Sequence, residues 1–175
     1  AVTLKYQTGS WLLTGALFGS FGEYDIKRRV MAPTLAAIAG ADAGFHAAGM
    51  RARIAYTLGG ESFYVRPYLN LDLVHARNGS FAESGIGELG LRFDGGSYNT
   101  AILTPAIEFG SRLDLANGMV LRSFVSAGLR MRSNDTWKGA AGFNGDFSGQ
   151  SFALSAPIDR VAARVTAGLQ LFRSE

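Results

Sequence analysis

Phe63-Tyr64-Val65-Arg66-Pro67-Tyr68-Leu69-Asn70-Leu71-Asp72-Leu73-Val74-His75 is the stretch whose reading decides the fold. Its odd positions from Phe63 to Leu73 are all apolar, and Tyr64, Arg66, Tyr68, Asn70 and Asp72 fall between them. Successive side chains of a strand point to opposite faces. The stretch therefore predicts a strand with one wholly apolar face and one face of charges and hydroxyls. In a soluble sandwich the apolar face would lie over a core. In a membrane barrel it would meet lipid, and the polar face would line a wet lumen. One strand alone permits both.

Working outward, the alternation recurs. His46, Ala48, Met50, Ala52, Ile54, Tyr56 and Leu58 share a face against Arg51 and Arg53, and Gly59-Gly60-Glu61-Ser62 predicts a tight turn into the strand above. Leu89, Leu91 and Phe93 alternate with Glu88, Arg92 and Asp94, followed by a turn at Asp94-Gly95-Gly96-Ser97. Leu103, Pro105, Ile107, Phe109 and Leu113 alternate with Thr104, Glu108 and Arg112, and Asp114–Gly118 turns the chain again. Met119 through Met131 sets an apolar face against Arg122, Ser126, Gly128, Arg130 and Arg132. Val161 through Leu171 does the same against Arg164, Thr166, Gly168 and Gln170. Towards the N-terminus, Trp11–Phe21 and Tyr24–Val30 read as two strands, residues 1–10 as a lead-in, and Pro33–Ala43 as a loop with room for a short helix. Trp137–Ala156 is Gly-rich and gives no clear period. The sum is about eight strands at hairpin spacing, for which an antiparallel up-and-down meander is the simplest topology.

Composition narrows the class. At 175 residues the chain reads as a single domain over 1–175, or an incomplete part of one. Although 47% of residues are hydrophobic, no run approaches the ~18 needed for a transmembrane helix, so any membrane crossing must use strands. The 23 Gly suit strands and turns better than helices. Cysteine is absent, and the +3 charge comes from scattered Arg, which argues against nucleic acid. No signal peptide opens the chain, so Ala1 reads as a processed or excised end.

Arg51, Arg53, Arg66, Asp72, Glu88, Arg92, Glu108, Arg112, Arg122, Arg130 and Arg164 form the candidate lumen-facing set. On a sandwich they would simply be solvated. Three features favour the membrane. Ten strand residues at ~3.3 Å, tilted about 40°, span roughly 25 Å of hydrocarbon. The apolar faces are built of modest Ala, Val, Leu and Met. On the same faces Phe63, Tyr68, Phe93, Tyr98 and Phe109 stand near strand ends, as interfacial girdles require. The polar face also mixes both charge signs with Gly, which suits a narrow lumen crossed by ion pairs.

An ordered set of motifs then points to a family. It comprises Trp11…Gly15-Ala16-Leu17…Gly22…Tyr24-Asp25…Arg28, Arg66-Pro67-Tyr68-Leu69-Asn70-Leu71 and Gly79…Phe81-Ala82-Glu83…Gly85. It continues through Thr136-Trp137, Ala141…Phe143…Phe152-Ala153-Leu154, Asp159-Arg160 and Ala167-Gly168-Leu169. The succession resembles the translocator domain of autotransporters (type V secretion) from Trp11 to Phe172. The resemblance implies an all-β, antiparallel up-and-down transmembrane β-barrel in a Gram-negative outer membrane, with about eight strands visible of about twelve. It also implies a covalently linked N-terminal passenger, a linker helix in the lumen, surrounding outer-membrane lipid, and help from the barrel-assembly machinery. The function implied is anchoring and export of the passenger. Trp11, Tyr24, Asp25, Pro67, Tyr68, Phe81, Glu83, Trp137, Phe152 and Gly168 would be structural motif positions, and Glu83 falls at the family's Phe-x-Glu position. The family's terminal aromatic residue, first strands and linker are not matched, which predicts a translocator cut at both ends. Two alternatives stay open: a complete eight-stranded outer-membrane barrel acting as adhesin or anchor, and a soluble β-sandwich binding module.

Catalytic motifs are weak. Gly85-Ile86-Gly87-Glu88-Leu89-Gly90 matches G-x-G-x-x-G, but it runs into a strand pattern with no βαβ unit. A triad from Ser148 or Ser151 with His75 and Asp146 lacks a G-x-S-x-G elbow. Two histidines, His46 and His75, without Cys predict no zinc site. No catalytic residue, metal or cofactor is expected.

Overall fold

A computed structural model describes residues 1–32, 35–60, 62–115, 118–145 and 151–173. Its strands are β1 (Val2–Thr8), β2 (Trp11–Ala32), β3 (Leu35–Tyr56), β4 (Leu58–Gly59), β5 (Phe63–Asn78), β6 (Phe81–Ala82), β7 (Leu91–Phe93), β8 (Gly96–Asp114), β9 (Met119–Arg132), β10 (Thr136–Phe143), β11 (Ser151–Pro157) and β12 (Val161–Arg173). A single 3₁₀ turn at Gly87–Leu89 is the only helical element among the described residues. Every pairing is antiparallel. The main sheet is eight-stranded and runs β1-β2-β3-β5-β8-β9-β12, with β4 hydrogen-bonded to β5. A smaller four-stranded sheet runs β11-β10-β7-β6. The two are joined at β3 by a bridge between Gly40 and Ser84.

The main sheet is a curled half-barrel, and its faces differ in the way the alternation predicts. Leu69 is 39% exposed while its neighbour Asn70 is 2% exposed, and Leu71 and Asp72 repeat the contrast at 40% and 5%. Side chains crowd on a concave face and splay on a convex one, so the polar face is the inside of the curl. The apolar row of Leu13, Leu17, Met50, Ile54, Ile107, Val125, Leu129, Val165 and Leu169 lies exposed on the outside. No second sheet covers that row among the described residues, which removes the sandwich reading.

Three expectations are corrected. The lead-in is strand β1, in which Val2, Leu4 and Tyr6 face out and Thr3, Lys5 and Gln7 face in, paired along β2. Trp11–Phe21 and Tyr24–Val30 are one strand of 22 residues, because β3 pairs with it residue by residue from Trp11↔Tyr56 to Ala32↔Leu35. The same pairing makes Leu35–Phe45 extended. Its alanines favour helix locally, but cross-strand hydrogen bonds override that preference. Of the expected tight turns, Glu61, Ala116 and Asn117 lie outside the described residues. Gly59 adopts φ +107 and Gly60 donates its N–H to Phe63 O at 3.0 Å, closing that corner.

The sheet has two unlike rims. Short connections, Gly9-Ser10 and the corners at Thr57–Phe63 and Leu115–Gly118, lie at one end. The β2–β3 hairpin and the excursions 79–95 and 133–160 lie at the other, and they build the smaller sheet there. At the short-turn rim Trp11 packs edge-on against Tyr56, with ring centroids 4.8 Å apart. Phe63 also faces out at that rim, and Phe109 lies one outward row further in. Tyr68 and Tyr98 lie on the concave face and Phe93 in the smaller sheet, so these three form no outer girdle.

Candidate functional site

The concave wall is the site, and it is held by pairs between adjacent strands. On β3 and β5, Arg51 stands opposite Asp72 and forms an ion pair with it. One row further, Arg53 Nε donates to Asn70 Oδ1 at 2.7 Å, and its guanidinium lies 4.4 Å above the Tyr68 ring. On β5 and β8, Arg66 Nη1 reaches Glu108 Oε1 at 3.0 Å, while the Tyr64 hydroxyl donates to the same oxygen at 2.9 Å. Arg66 Nε donates to Thr57 Oγ1 at 3.0 Å. Each acid is thus satisfied by a cation one strand away, so the network fixes neighbouring strands rather than bridging the lumen. On β9 and β12 the balance changes. Arg122 lies opposite Arg112. That like-charge pair is relieved because Arg112 turns to Asp114 at 3.1 Å and Arg122 stacks on Phe172 at 4.9 Å. Arg130 and Arg164 have no ion-pair partner among the described residues, so this part of the wall is net basic.

Aromatic rings fill the concave face beside glycines. Phe18 covers Gly49, Phe45 covers Gly22, Tyr64 covers Gly110 and Phe124 covers Gly168, each on the adjacent strand at the paired position. A Cβ at any of these glycines would meet the ring.

Of the candidate set, Arg51, Arg53, Arg66, Asp72, Glu108, Arg112, Arg122, Arg130 and Arg164 share the concave face. Glu88 and Arg92 do not. Glu88 lies in the 3₁₀ turn and Arg92 on β7, because residues 79–95 leave the main sheet. Among the motif positions, Trp11 packs on Tyr56, and Pro67 faces out opposite Ile107. Phe81 stacks on Phe93 at 4.6 Å, and Phe152 lies 6.1 Å from Phe143. Of the triad candidates, Asp146 and Ser148 lie outside the described residues, Ser151 opens β11, and His75 faces out, bonded to Asn99 at 2.6 Å. The G-x-G-x-x-G stretch forms the 3₁₀ turn, with Gly85 and Gly87 at positive φ.

Glu83 emerges as the tie between the two sheets. Its carboxylate is buried and accepts from Arg28 twice, Nε to Oε1 at 2.9 Å and Nη2 to Oε2 at 2.6 Å. The Leu91 N–H adds a third bond to Oε2 at 2.9 Å. Asn144 Nδ2 donates to the Glu83 carbonyl at 2.7 Å, linking the second excursion to the first. The Arg28 hydrogen bonds hold this carboxyl below its ordinary value of 4.5, helped by Leu91 N–H and opposed by burial. Arg28 was absent from the candidate set, since reading Tyr24–Val30 as a separate strand hid its place above the concave wall.

A barrel wall with a bare apolar outside, a buried polar inside and one rim of long excursions matches one family in particular. The family model described as Autotransporter beta-domain matches residues 1–174. The chain belongs to the autotransporter beta-domain family. No curated protein matches it. Membership places the chain among outer-membrane translocator barrels.

Proposed function

We propose that this autotransporter beta-domain sits in the bacterial outer membrane, anchors a covalently linked N-terminal passenger and exports it to the cell surface, acting as a conduit and not as an enzyme. The observation that carries the reading is the split of one continuous sheet into an exposed apolar outside and a buried, ion-paired inside. Lipid would cover the outside. The basic concave wall would face a linker helix and the passing chain. The short-turn rim would face the periplasm and the long excursions the exterior, as in outer-membrane barrels generally. Insertion would rely on the barrel-assembly machinery.

The test uses the complete gene in a Gram-negative host, with an epitope in the region preceding this domain. The expected result is heat-modifiable migration of the domain together with protease-accessible epitope on intact cells. A heat-modifiable barrel whose epitope stays protected would overturn export and leave a small anchor or adhesin barrel.

A further inference from the structure

At the long-loop rim, a cavity of about 380 Å³ lies between the main and the smaller sheet. Small-molecule sites begin at about 300 Å³ and combine aromatic walls with a few polar groups. Tyr24 of β2, Tyr98 of β8, the stacked Phe81–Phe93 pair and Trp137 of β10 supply the aromatic surface. The Asn78 amide, the Tyr24 and Tyr98 hydroxyls and the Trp137 indole N–H supply the polar groups. Tyr24, Asn78, Tyr98 and Trp137 make no side-chain hydrogen bond among the described residues, so their donors and acceptors are uncommitted.

We propose that this cavity is a binding site for a neutral saccharide. Asp94 is paired with Arg92 at 4.0 Å, and Lys138 stands on the other face of β10 from Trp137, so no unpaired charge shares the aromatic face, which disfavours phosphates, nucleotides and free carboxylates. A purely apolar ligand would strand the amide, the hydroxyls and the indole N–H, at a desolvation cost it could not return. A sugar ring satisfies both requirements. Its C–H face packs on the aromatic rings, and its hydroxyls bond Asn78, the tyrosine hydroxyls and the Trp137 N–H.

Fluorescence makes the test direct, because the chain has two tryptophans and Trp11 lies at the opposite rim. In a Trp11→Phe background, the domain folded in a detergent without a sugar headgroup is titrated with glucose, galactose and N-acetylglucosamine. A saturable change in Trp137 emission with at least one sugar below ~10 mM is expected. Tyr98→Ala and Asn78→Ala should each weaken it about tenfold while heat-modifiable migration stays intact. No response to any of the three sugars overturns the proposal. So does a saturable response only to N-acetylphenylalaninamide, which would make the cavity a receptor for a polypeptide side chain. If Tyr98→Ala fails to fold, Tyr24→Phe and Asn78→Ala carry the same test, and unchanged titrations in both would overturn the site.

Discussion

The lower and upper halves of the β2–β3 hairpin have the same backbone and register but opposite exteriors. From Trp11 to Phe21 the outward row of β2 is Trp, Leu, Gly, Leu, Gly, Phe; from Glu23 to Arg29 it is Glu, Asp, Lys, Arg. On β3 the row changes at the same height, where His46 stands opposite Phe21 and Asp42 opposite Asp25. Hydrogen bonding cannot explain the difference, since pairing is continuous throughout. On the proposed function the medium outside the wall does: a row without charge would meet lipid, and a row that carries four charges in succession would meet water. On that reading the hairpin marks the lipid boundary between Phe21 and Glu23. The lower half, at ~3.3 Å per residue and a tilt of about 40°, is close to the 25 Å apolar band.

Charge placed on the outward row tests that boundary most sharply. Leu69→Arg, or Leu17→Arg on β2, should destabilise the inserted barrel by about 2–4 kcal/mol, as Arg does at a bilayer midplane. Asp25→Arg, on the same face of β2 above the boundary, should cost no more than about 0.5 kcal/mol. Urea titration of the domain folded into vesicles reads both. Equal costs at Leu17 and Asp25 would erase the boundary.

How much of this was legible in sequence depends on the half. The faces of β3, β5, β8, β9 and β12 were readable because an exposed apolar outside and a crowded polar inside impose a strict period of two on residues such as Leu69 and Asn70. Above the boundary both faces are wet and the period disappears, so Leu35–Phe45 read as loop or helix although β2 holds it extended. Residues 79–95 and 133–145 are placed by contacts made at long range, Arg28 with Glu83 and Asn144 with the Glu83 carbonyl, which leave no local pattern. Tyr68 and Tyr98 show the same limit from the other side. Aromatic residues near strand ends suggest a girdle, and only parity relative to the curl shows that these two point inward.

The upper half should depend on Glu83 in a way the lower half does not. Glu83→Gln keeps the shape but removes the charge facing Arg28, and should loosen the 79–95 excursion by about 1–3 kcal/mol. Hydrogen exchange or limited proteolysis at those residues should rise while heat-modifiable migration persists. Loss of the whole barrel would mean the excursions support the wall. The same tie predicts pH dependence. The Glu83 carboxyl lies below its ordinary 4.5 in the folded state, so its stabilisation is full above 4.5 and fades as pH falls through the folded value. Proteolysis of the excursion should therefore increase at acid pH in the native protein, and should lose that dependence in Glu83→Gln.

The smallest expected effect has the opposite sign and sits a few residues away. Asp42 stands directly opposite Asp25 on the outward face above the boundary, and a hydrogen bond shared with Asp25, reinforced by the like charge, raises its carboxyl above the ordinary 3.8. A carboxyl raised by folding binds more protons when folded. Its contribution is therefore present at low pH and lost as pH rises through the folded value. Both groups are exposed, so water screens most of the repulsion. Asp42→Asn should give a slight gain in hairpin protection at neutral pH that vanishes in acid, measurable as slower hydrogen exchange at Asp25 and its neighbours. A loss of protection at neutral pH would mean that the two carboxylates share a bound cation, and that the upper half is held by an ion rather than strained by its charges.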